Sequence, residues 1–416
     1  MVGKRNYKSG ENMIYDVIII GAGAAGLYCG AHLQNLNGLI IEKNARPGLK
    51  ILASGGGQCN ITHGGYINSF YTKYGGHKNF VKGALKNHDN KAVIDFFESN
   101  GCRLTEREDG KVFPSSLKAS DVVKTLEKAN KRLKLHLSET VEEVAYDGEQ
   151  FIVLTNHSTY MALRIVISTG GKSYPTLGST GDGYLFSSKL GHAIIDTKPG
   201  LTGVVAKDKI LQSLQGVSVD DVKITTSKKE INQSFTGPLL FTHFGFSGPV
   251  ILNNSRYMNK GDQLLLNFLN RPSDRVEVEL LELIKSSGDK PVAFWLNQLG
   301  LIDTLKKALF ESEEELKKQK LATLTKEQRK MLVGRITEYP IVIESLIGYQ
   351  NAMVTVGGIS LSEVEPKTMA SKLINGLYFC GEVLDVDGDT GGYNLQWAFS
   401  SGYAVASAIA RENQYK

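Results

Sequence analysis

The sequence predicts an α/β protein whose main domain is doubly wound (Rossmann-like) and assembled from both chain ends. Three observations carry that prediction. Val17–Ile20 is an all-apolar run leading directly into Gly21-Ala22-Gly23-Ala24-Ala25-Gly26, the spacing of a dinucleotide-binding turn. More than three hundred residues later, Leu377–Phe379 is another short apolar run, ending in Gly381-Glu382 and followed by a glycine-rich turn and an apolar helix. Between about 197 and 345 the pattern changes, first to short alternating apolar runs and then to charged helical periods, as an insertion would.

The bulk numbers agree. A chain of 416 residues can bury a large core and is long enough for two or three domains. It is 41% hydrophobic and 22% charged, with a mean hydropathy of −0.17, the composition of an ordinary soluble protein. Many of the 44 glycines cluster, as backbone pressed against a ligand requires. The net charge of +5 favours anionic ligands slightly and does not argue for nucleic acid. Cys29, Cys59, Cys102 and Cys380 have no paired spacing, which points to a reducing compartment. Glu11 and Asp16 interrupt the basic leader before Val17, so a cytoplasmic protein without a membrane span is expected. Residues 1–12 read as a polar extension before the folded pattern begins at Met13.

At the N-terminal end the apolar run, the glycine turn and an apolar helix through about Leu36 give the strand, turn and helix that the motif needs. Gly21 would allow the turn, Gly23 would let a pyrophosphate approach, and Gly26 would let the helix pack on the strand. The phosphates would sit at the helix N-terminus beside Ala24 and Ala25. Leu39–Ile41 reads as the second strand, ending at Glu42-Lys43, where a carboxylate suits a ribose hydroxyl. A Gly23→Val substitution is expected to give colourless, unstable protein.

The next segment, Lys50-Ile-Leu-Ala-Ser54-Gly55-Gly56-Gly57-Gln58-Cys59-Asn60, places a glycine turn where disulfide reductases keep a redox cysteine pair. Cys59 has no partner, since His63 and Gly64 stand there instead, so the turn is read as a cradle of N–H groups and Cys59 as a packing residue. Leu133–Leu137, Thr140–Val144 and Phe151–Thr155 read as a β-meander. They lead to the strand Ile165–Ile167 and the Thr169-Gly170 turn, which is either an adenosine contact or structural.

At the C-terminal end Glu382 is placed to hydrogen-bond a ribityl chain. The helix start after Gly391-Gly392-Tyr393-Asn394-Leu395-Gln396 can point its N–H groups at a flavin edge. The two halves together imply FAD, which is long enough to need both. Asp385, Asp387 and Asp389 lack the closing glutamate of a calcium loop and read mostly as solvated turn acids, so no metal is expected.

Within the insertion, Val217–Thr225, Leu239–Phe241 and Leu264–Phe268 read as strands, and Glu277–Ile284, Thr304–Lys320 and Lys326–Ile336 as helices. Charges of both signs in Glu311–Lys320 read as a solvated face, which argues against nucleic acid as a partner. No second glycine fingerprint follows a strand, so a dedicated nicotinamide domain is not expected, although NADH or NADPH could bind transiently as donor. His243, within Phe241-Thr-His-Phe-Gly-Phe-Ser-Gly-Pro249, and the weaker Tyr174 are the candidate catalytic residues. The expected division is 13–196 and 361–416 for the FAD domain, 197–272 with 340–360 for a β-rich substrate domain, and 273–339 for a helical subdomain.

Taken together, Lys50–Asn60, Gly178-Ser-Thr-Gly-Asp-Gly183, Phe241–Pro249 and Gly381-Glu-Val-Leu-Asp-Val-Asp-Gly-Asp-Thr-Gly-Gly-Tyr-Asn-Leu-Gln-Trp397 resemble a bacterial flavoprotein family. It is described as aminoacetone oxidase-like or bile-acid-inducible N-like FAD-dependent oxidoreductases. The resemblance implies an FAD domain interrupted by a β-barrel-like domain with a small helical cap. It assigns the FAD site to Gly21, Gly23, Gly26, Glu42, the 54–60 turn, Val141, Thr169, Gly170, Glu382 and the 391–396 turn. Gln58 departs from the pattern, standing where many members carry Arg. The expected activity is hydride transfer between a small organic substrate and the flavin, with oxidation of a small amine or aminoketone preferred. Reduction of an enone-like substrate is the alternative, followed by a tRNA-modifying flavoprotein or a non-catalytic flavin-binding protein. The sequence leaves the oligomeric state open.

Overall fold

The computed structural model describes residues 13–208, 210–227 and 233–414, so the expectation for residues 1–12 lies outside the described residues. The chain divides into two compact units, one running to Gly200 and resuming at Tyr349, the other spanning Leu201–Gly348.

The first unit is built on five parallel strands: β1 (Val17–Ile20), β2 (Gly38–Ile41), β3 (Lys134–His136), β4 (Ile165–Ile167) and β5 (Leu377–Phe379). Their order is β5-β4-β1-β2-β3, with Ile19 opposite Ile40 on one side and Val166 on the other. Each of β1, β2, β4 and β5 is apolar at every position or carries glycine, because helices cover both faces of such a sheet. Two of those helices, α1 (Ala24–His32) and the C-terminal Tyr393–Gln414, cross closely. A Cβ on Gly402 would stand 2.6 Å from the Ala25 carbonyl oxygen, and one on Gly381 would stand 2.8 Å from the Ala25 Cβ. The two chain ends therefore share one core, as the doubly wound prediction requires.

Some details differ from expectation. Lys134–His136 joins the parallel sheet and not the meander, which consists of Val141–Tyr146, Phe151–Thr155 and Thr159–Ala162. Residues 349–360, expected in the insertion, belong with the first unit because Val354–Ile359 pairs with Ile194–Gly200.

The second unit holds a seven-stranded antiparallel sheet. One short segment closes it into a barrel-like shape: Tyr339–Val342 pairs with Gln263–Asn267 at one edge, while Ser345–Leu346 pairs with Val204–Val205 at the other. A sheet whose two edges are joined by two residues must curl on itself. Helices Ser273–Ser287, Val292–Gln298, Asp303–Leu309, Glu314–Lys318 and Lys326–Thr337 share its core. The expected single helix over 304–320 is broken after Leu309, where Phe310 turns into the core with φ −124°. Glu314–Lys317 and Glu315–Lys318 ion pairs occupy the solvated face. Among the described residues, no helix is long and apolar enough to cross a membrane.

Candidate functional site

The three fingerprint glycines do different work. Gly21 turns the chain at φ +104°, and a Cβ there would meet the Ser168 carbonyl oxygen at 2.8 Å. One on Gly26 would lie 2.0 Å from the Gly21 carbonyl oxygen and 2.5 Å from Ser168 Oγ, so α1 rests directly on the turn. Gly23 differs: nothing lies within 4 Å of its Cβ position. The start of α1, with Ala24 and Ala25 in its first turn and no acidic residue there, thus faces open space with unused N–H groups, a suitable place for phosphate.

Beside it lies an open cleft lined by Glu42, Lys43, Val141, Thr169 and Asp182. The buried Glu42 carboxylate accepts from the Ala22 N–H at 2.8 Å and from the Asn44 N–H and side-chain amide at 2.9 and 2.7 Å. It therefore also fixes the glycine turn, beyond the ribose contact expected from sequence. The Lys43 ammonium is held by Asp182 at 2.6 Å and Thr180 at 2.5 Å, which joins the Gly178–Gly183 segment to this end of the site. Its helix begins at Asp182. Thr169 Oγ1 is buried with no hydrogen-bond partner among the described residues, and Gly170 follows it into the turn.

The second cradle is the 54–60 turn. Gly55, Gly56 and Gly57 all have positive φ, and nothing lies within 4 Å of a Cβ on Gly56. Ser54 accepts the Cys59 N–H through its carbonyl and donates its hydroxyl to Ile51. Cys59 is fully buried, and burial pushes its thiol up to about 12, so it is a packing residue and not a thiolate. Asn60 Oδ1 is buried without a partner among the described residues. Gln58 accepts from Arg107 at 2.7 Å, and that guanidinium lies 4.0 Å from the centroid of the Phe113 ring. A cation thus stands next to Gln58 although residue 58 itself is neutral.

Lys50 links the two chain ends, donating to Glu382 at 2.5 Å and to Ser173 at 3.0 Å. Glu382 also accepts from the Ser173 hydroxyl and the Thr355 N–H, each at 2.8 Å. Burial alone would raise this carboxyl, but Lys50, Ser173 and Thr355 together hold it below the usual glutamate range. Ser173 and Thr355 escaped the sequence reading. Ser173 follows a recognised strand and turn, whereas no local signal marks Thr355.

Beyond Gly381, the 388–396 segment is braced from within. The Asn394 side chain exchanges hydrogen bonds with the Gly388 backbone. Gln396 is fully buried between Thr62, Ser400 and the His88 carbonyl, so its side chain is structural. A Cβ on Gly392 would meet the Thr62 carbonyl oxygen at 2.5 Å, and Gly391 sits beside His63. Tyr393 stacks on His63 with ring centroids 5.4 Å apart, and Leu395 is half-buried in the same first helical turn. The acidic trio is not solvated: Asp387 is 2% exposed, and the Asp385 and Asp389 side chains are 16% and 23% exposed. The loop folds over residues 73–77, where the Asp389 N–H bonds the Lys73 carbonyl and His77 approaches Asp385 at 3.9 Å. Burial raises the Asp385 carboxyl above its ordinary range, with His77 acting in the opposite direction.

Tyr174 belongs to the first unit at φ +54°, its N–H bonded to the Tyr349 carbonyl. His243 belongs to the second unit, exposed on the turn between Gln233–Phe241 and Gly245–Ser247.

An open space at Gly23, two unpartnered buried oxygens at Thr169 and Asn60, and two helix starts in one unit fit a long dinucleotide. Fold and site define an FAD-dependent flavoprotein oxidoreductase. The description "HI0933-like protein Rossmann domain" matches residues 15–408, and the chain belongs to that family. It is 35% identical to the ribosomal RNA dihydrouridine synthase of Haemophilus influenzae over 95% of this chain and 98% of that protein. It is equally identical, with the same coverage, to the ribosomal RNA dihydrouridine synthase of Escherichia coli. Against the 3-dehydro-bile acid delta(4,6)-reductase of Clostridium scindens it is 30% identical over 94% of this chain and 98% of that one. Among solved structures, a mutated FrdA of E. coli quinol fumarate reductase shares the fold at a TM-score of 0.51 and 15% identity, over 97% of this chain and 71% of that one.

Proposed function

We propose that this flavoenzyme reduces a carbon–carbon double bond conjugated to a carbonyl, and that its substrate is a uridine of ribosomal RNA. Full-length 35% identity to two proteins named for making dihydrouridine in ribosomal RNA supports this reading. The more distant reductase acts, by its name, on the same kind of bond in a bile acid. Reduction thus takes the place of the amine oxidation preferred from sequence, and RNA that of a small molecule.

Flavin bound here and reduced by a nicotinamide donor would supply the hydride equivalent that the double bond takes up at its carbon remote from the carbonyl. The chain's own residues would bind and orient. Gly23 and the start of α1 receive phosphate, Glu42 and Lys43 border the adenosine end, and Lys50, Glu382 and Ser173 brace the join between the halves. Asp385, three residues beyond Glu382 and only 16% exposed beside His77 at 3.9 Å, is the candidate to deliver the proton that the carbon next to the carbonyl requires.

The test is an anaerobic reaction of the purified protein with NADPH or NADH and deproteinised ribosomal RNA, followed by nucleoside mass spectrometry. Flavin bleaching by the nicotinamide and appearance of dihydrouridine are expected. A flavin that bleaches only with small amines, and is reoxidised with peroxide release, would return the oxidase reading.

A further inference from the structure

We propose that the helix α2 (Lys78–Asn87) and the segment leading into it form an RNA-docking surface on the flavin-binding unit, a proposal that rests on the RNA reading above and deepens it. From Lys43 to His88 the chain contains seven Lys or Arg residues and no Asp or Glu. The structure sorts these cations. Lys43, Lys50 and Lys73 pair with Asp182, Glu382 and Asp389, carboxylates of the cofactor end. Lys78, Lys82 and Lys86 make no ion pair among the described residues, and their spacing of four sets them in one exposed stripe along α2.

The opposite side of α2 buries Val81, Ala84 and Leu85, so the stripe's orientation is fixed by the core. Lys367, also exposed, extends the charge, since a Cβ on Gly83 of the helix would lie 3.7 Å from its Cγ. One aromatic ring lies against the cations, and another stands exposed in the segment leading into the helix. The Lys82 ammonium stands 5.9 Å from the centroid of the Tyr71 ring, and Tyr66 is 85% exposed. Unneutralised cations track a phosphate backbone, and an exposed ring offers a face on which a base stacks. The surface also runs into the flavin end: residues 73–77 carry the loop of Asp385 and Asp389, and Lys73 lies over Tyr393. The balanced charge that argued against nucleic acid belongs to the helical insertion and does not extend to this face.

The experiment measures retention of fluorescein-labelled, deproteinised ribosomal RNA by the FAD-loaded protein across a salt series. K78Q/K82Q/K86Q should bind at least tenfold more weakly. Its log-affinity against log-salt slope should be shallower by about 2–3, from 0.7–0.9 per phosphate contact. Tyr66→Ala should weaken binding about tenfold with an unchanged slope. Flavin absorbance and melting temperature should match the unsubstituted protein in each case, which separates lost docking from lost folding. K124Q/K128Q/K131Q, with the same loss of charge on the 119–132 segment, should bind as the unsubstituted protein does.

Equal weakening by both triple variants, no weakening by the first, or retention on phosphatidylserine vesicles but not RNA would overturn the surface. If the stripe variant binds normally while the enzyme forms dihydrouridine, only the docking surface fails. Stripe-dependent binding without dihydrouridine would instead remove the reductase reading and leave the surface.

Discussion

Gly23 and Gly26, three residues apart in one turn and helix, should fail in different ways when given a side chain. At Gly26 a methyl group would lie 2.0 Å from the Gly21 carbonyl oxygen, roughly 1 Å inside the closest tolerable approach, with backbone on the other side. Relief means moving α1 off its strand. Overpacking of this kind costs about 1–3 kcal/mol or more, exceeding the ~1 kcal/mol that Ala gains over Gly within a helix. At Gly23 the backbone is extended (φ −81°, ψ −169°) and nothing lies within 4 Å, so a side chain costs the empty fold almost nothing. The space it enters is the one left for pyrophosphate. Apoprotein carrying Gly23→Val should therefore melt within a degree or two of the unsubstituted apoprotein, without the instability expected from sequence. FAD at a hundred times its dissociation constant stabilises by about 2.7 kcal/mol, a rise of roughly 5–10 °C for a unit of this size. The unsubstituted protein should show that rise, Gly23→Val should not, and Gly26→Ala should melt low in either state. The assay is a melting curve of each apoprotein with and without FAD. A yellow Gly23→Val protein, or one that melts as low as Gly26→Ala without cofactor, would refute the placement of the phosphate.

Three further outcomes follow from the same geometry. Glu382→Gln leaves the half-buried Lys50 ammonium without its charge partner and should cost about 1–3 kcal/mol, read by denaturant melts, with weaker FAD retention. Because the folded carboxyl lies below its ordinary value, the Glu382 contribution is complete above pH ~4.5 and fades as pH falls through the folded value, so the variant's deficit should shrink in acid. His88, bonded to Tyr28 at 2.7 Å and stacked on Tyr403, is lowered to about 3 by burial and by His32. The unfolded chain takes up this proton near pH 6.5 and the folded chain resists it, so stability should fall by up to a few kcal/mol as pH drops from about 6.5 towards 3, and His88→Gln should flatten that profile. Asp385→Asn should slow substrate reduction by a hundredfold or more while leaving flavin bleaching by nicotinamide unchanged in stopped-flow traces; equal slowing of both half-reactions would remove it as proton donor.

The parts of this molecule legible in the sequence are those whose physics is local. Val17–Ile20 and Leu377–Phe379 announce buried parallel strands because every position is apolar, and the 21–26 glycines announce a turn and a helix start within six residues. Lys134–His136 pairs with the parallel sheet although its sequence suits the meander equally, because three residues with two polar side chains carry no mark of which neighbour they will pair with. Thr355 reaches Glu382 only because Val354–Ile359 pairs with Ile194–Gly200 across more than 150 residues, a contact that no spacing encodes. The burial of Asp385 and Asp387 is illegible for a related reason: polarity suggests solvent, but residues 73–77, some three hundred positions earlier, cover that loop.

The position of β5 has a consequence for how the protein is made. It hydrogen-bonds to β4, yet some 210 residues separate them, among them all of Leu201–Gly348. At ~5–20 residues per second, the ribosome leaves the β4 edge unpaired for roughly 10–40 seconds. The insertion, whose strands pair among themselves, can complete its own core during that interval. The FAD cradle cannot close until Gly381, Glu382 and the helix Tyr393–Gln414 have emerged, so cofactor capture waits on that late segment, and a chain released before it would carry an open sheet edge and no flavin.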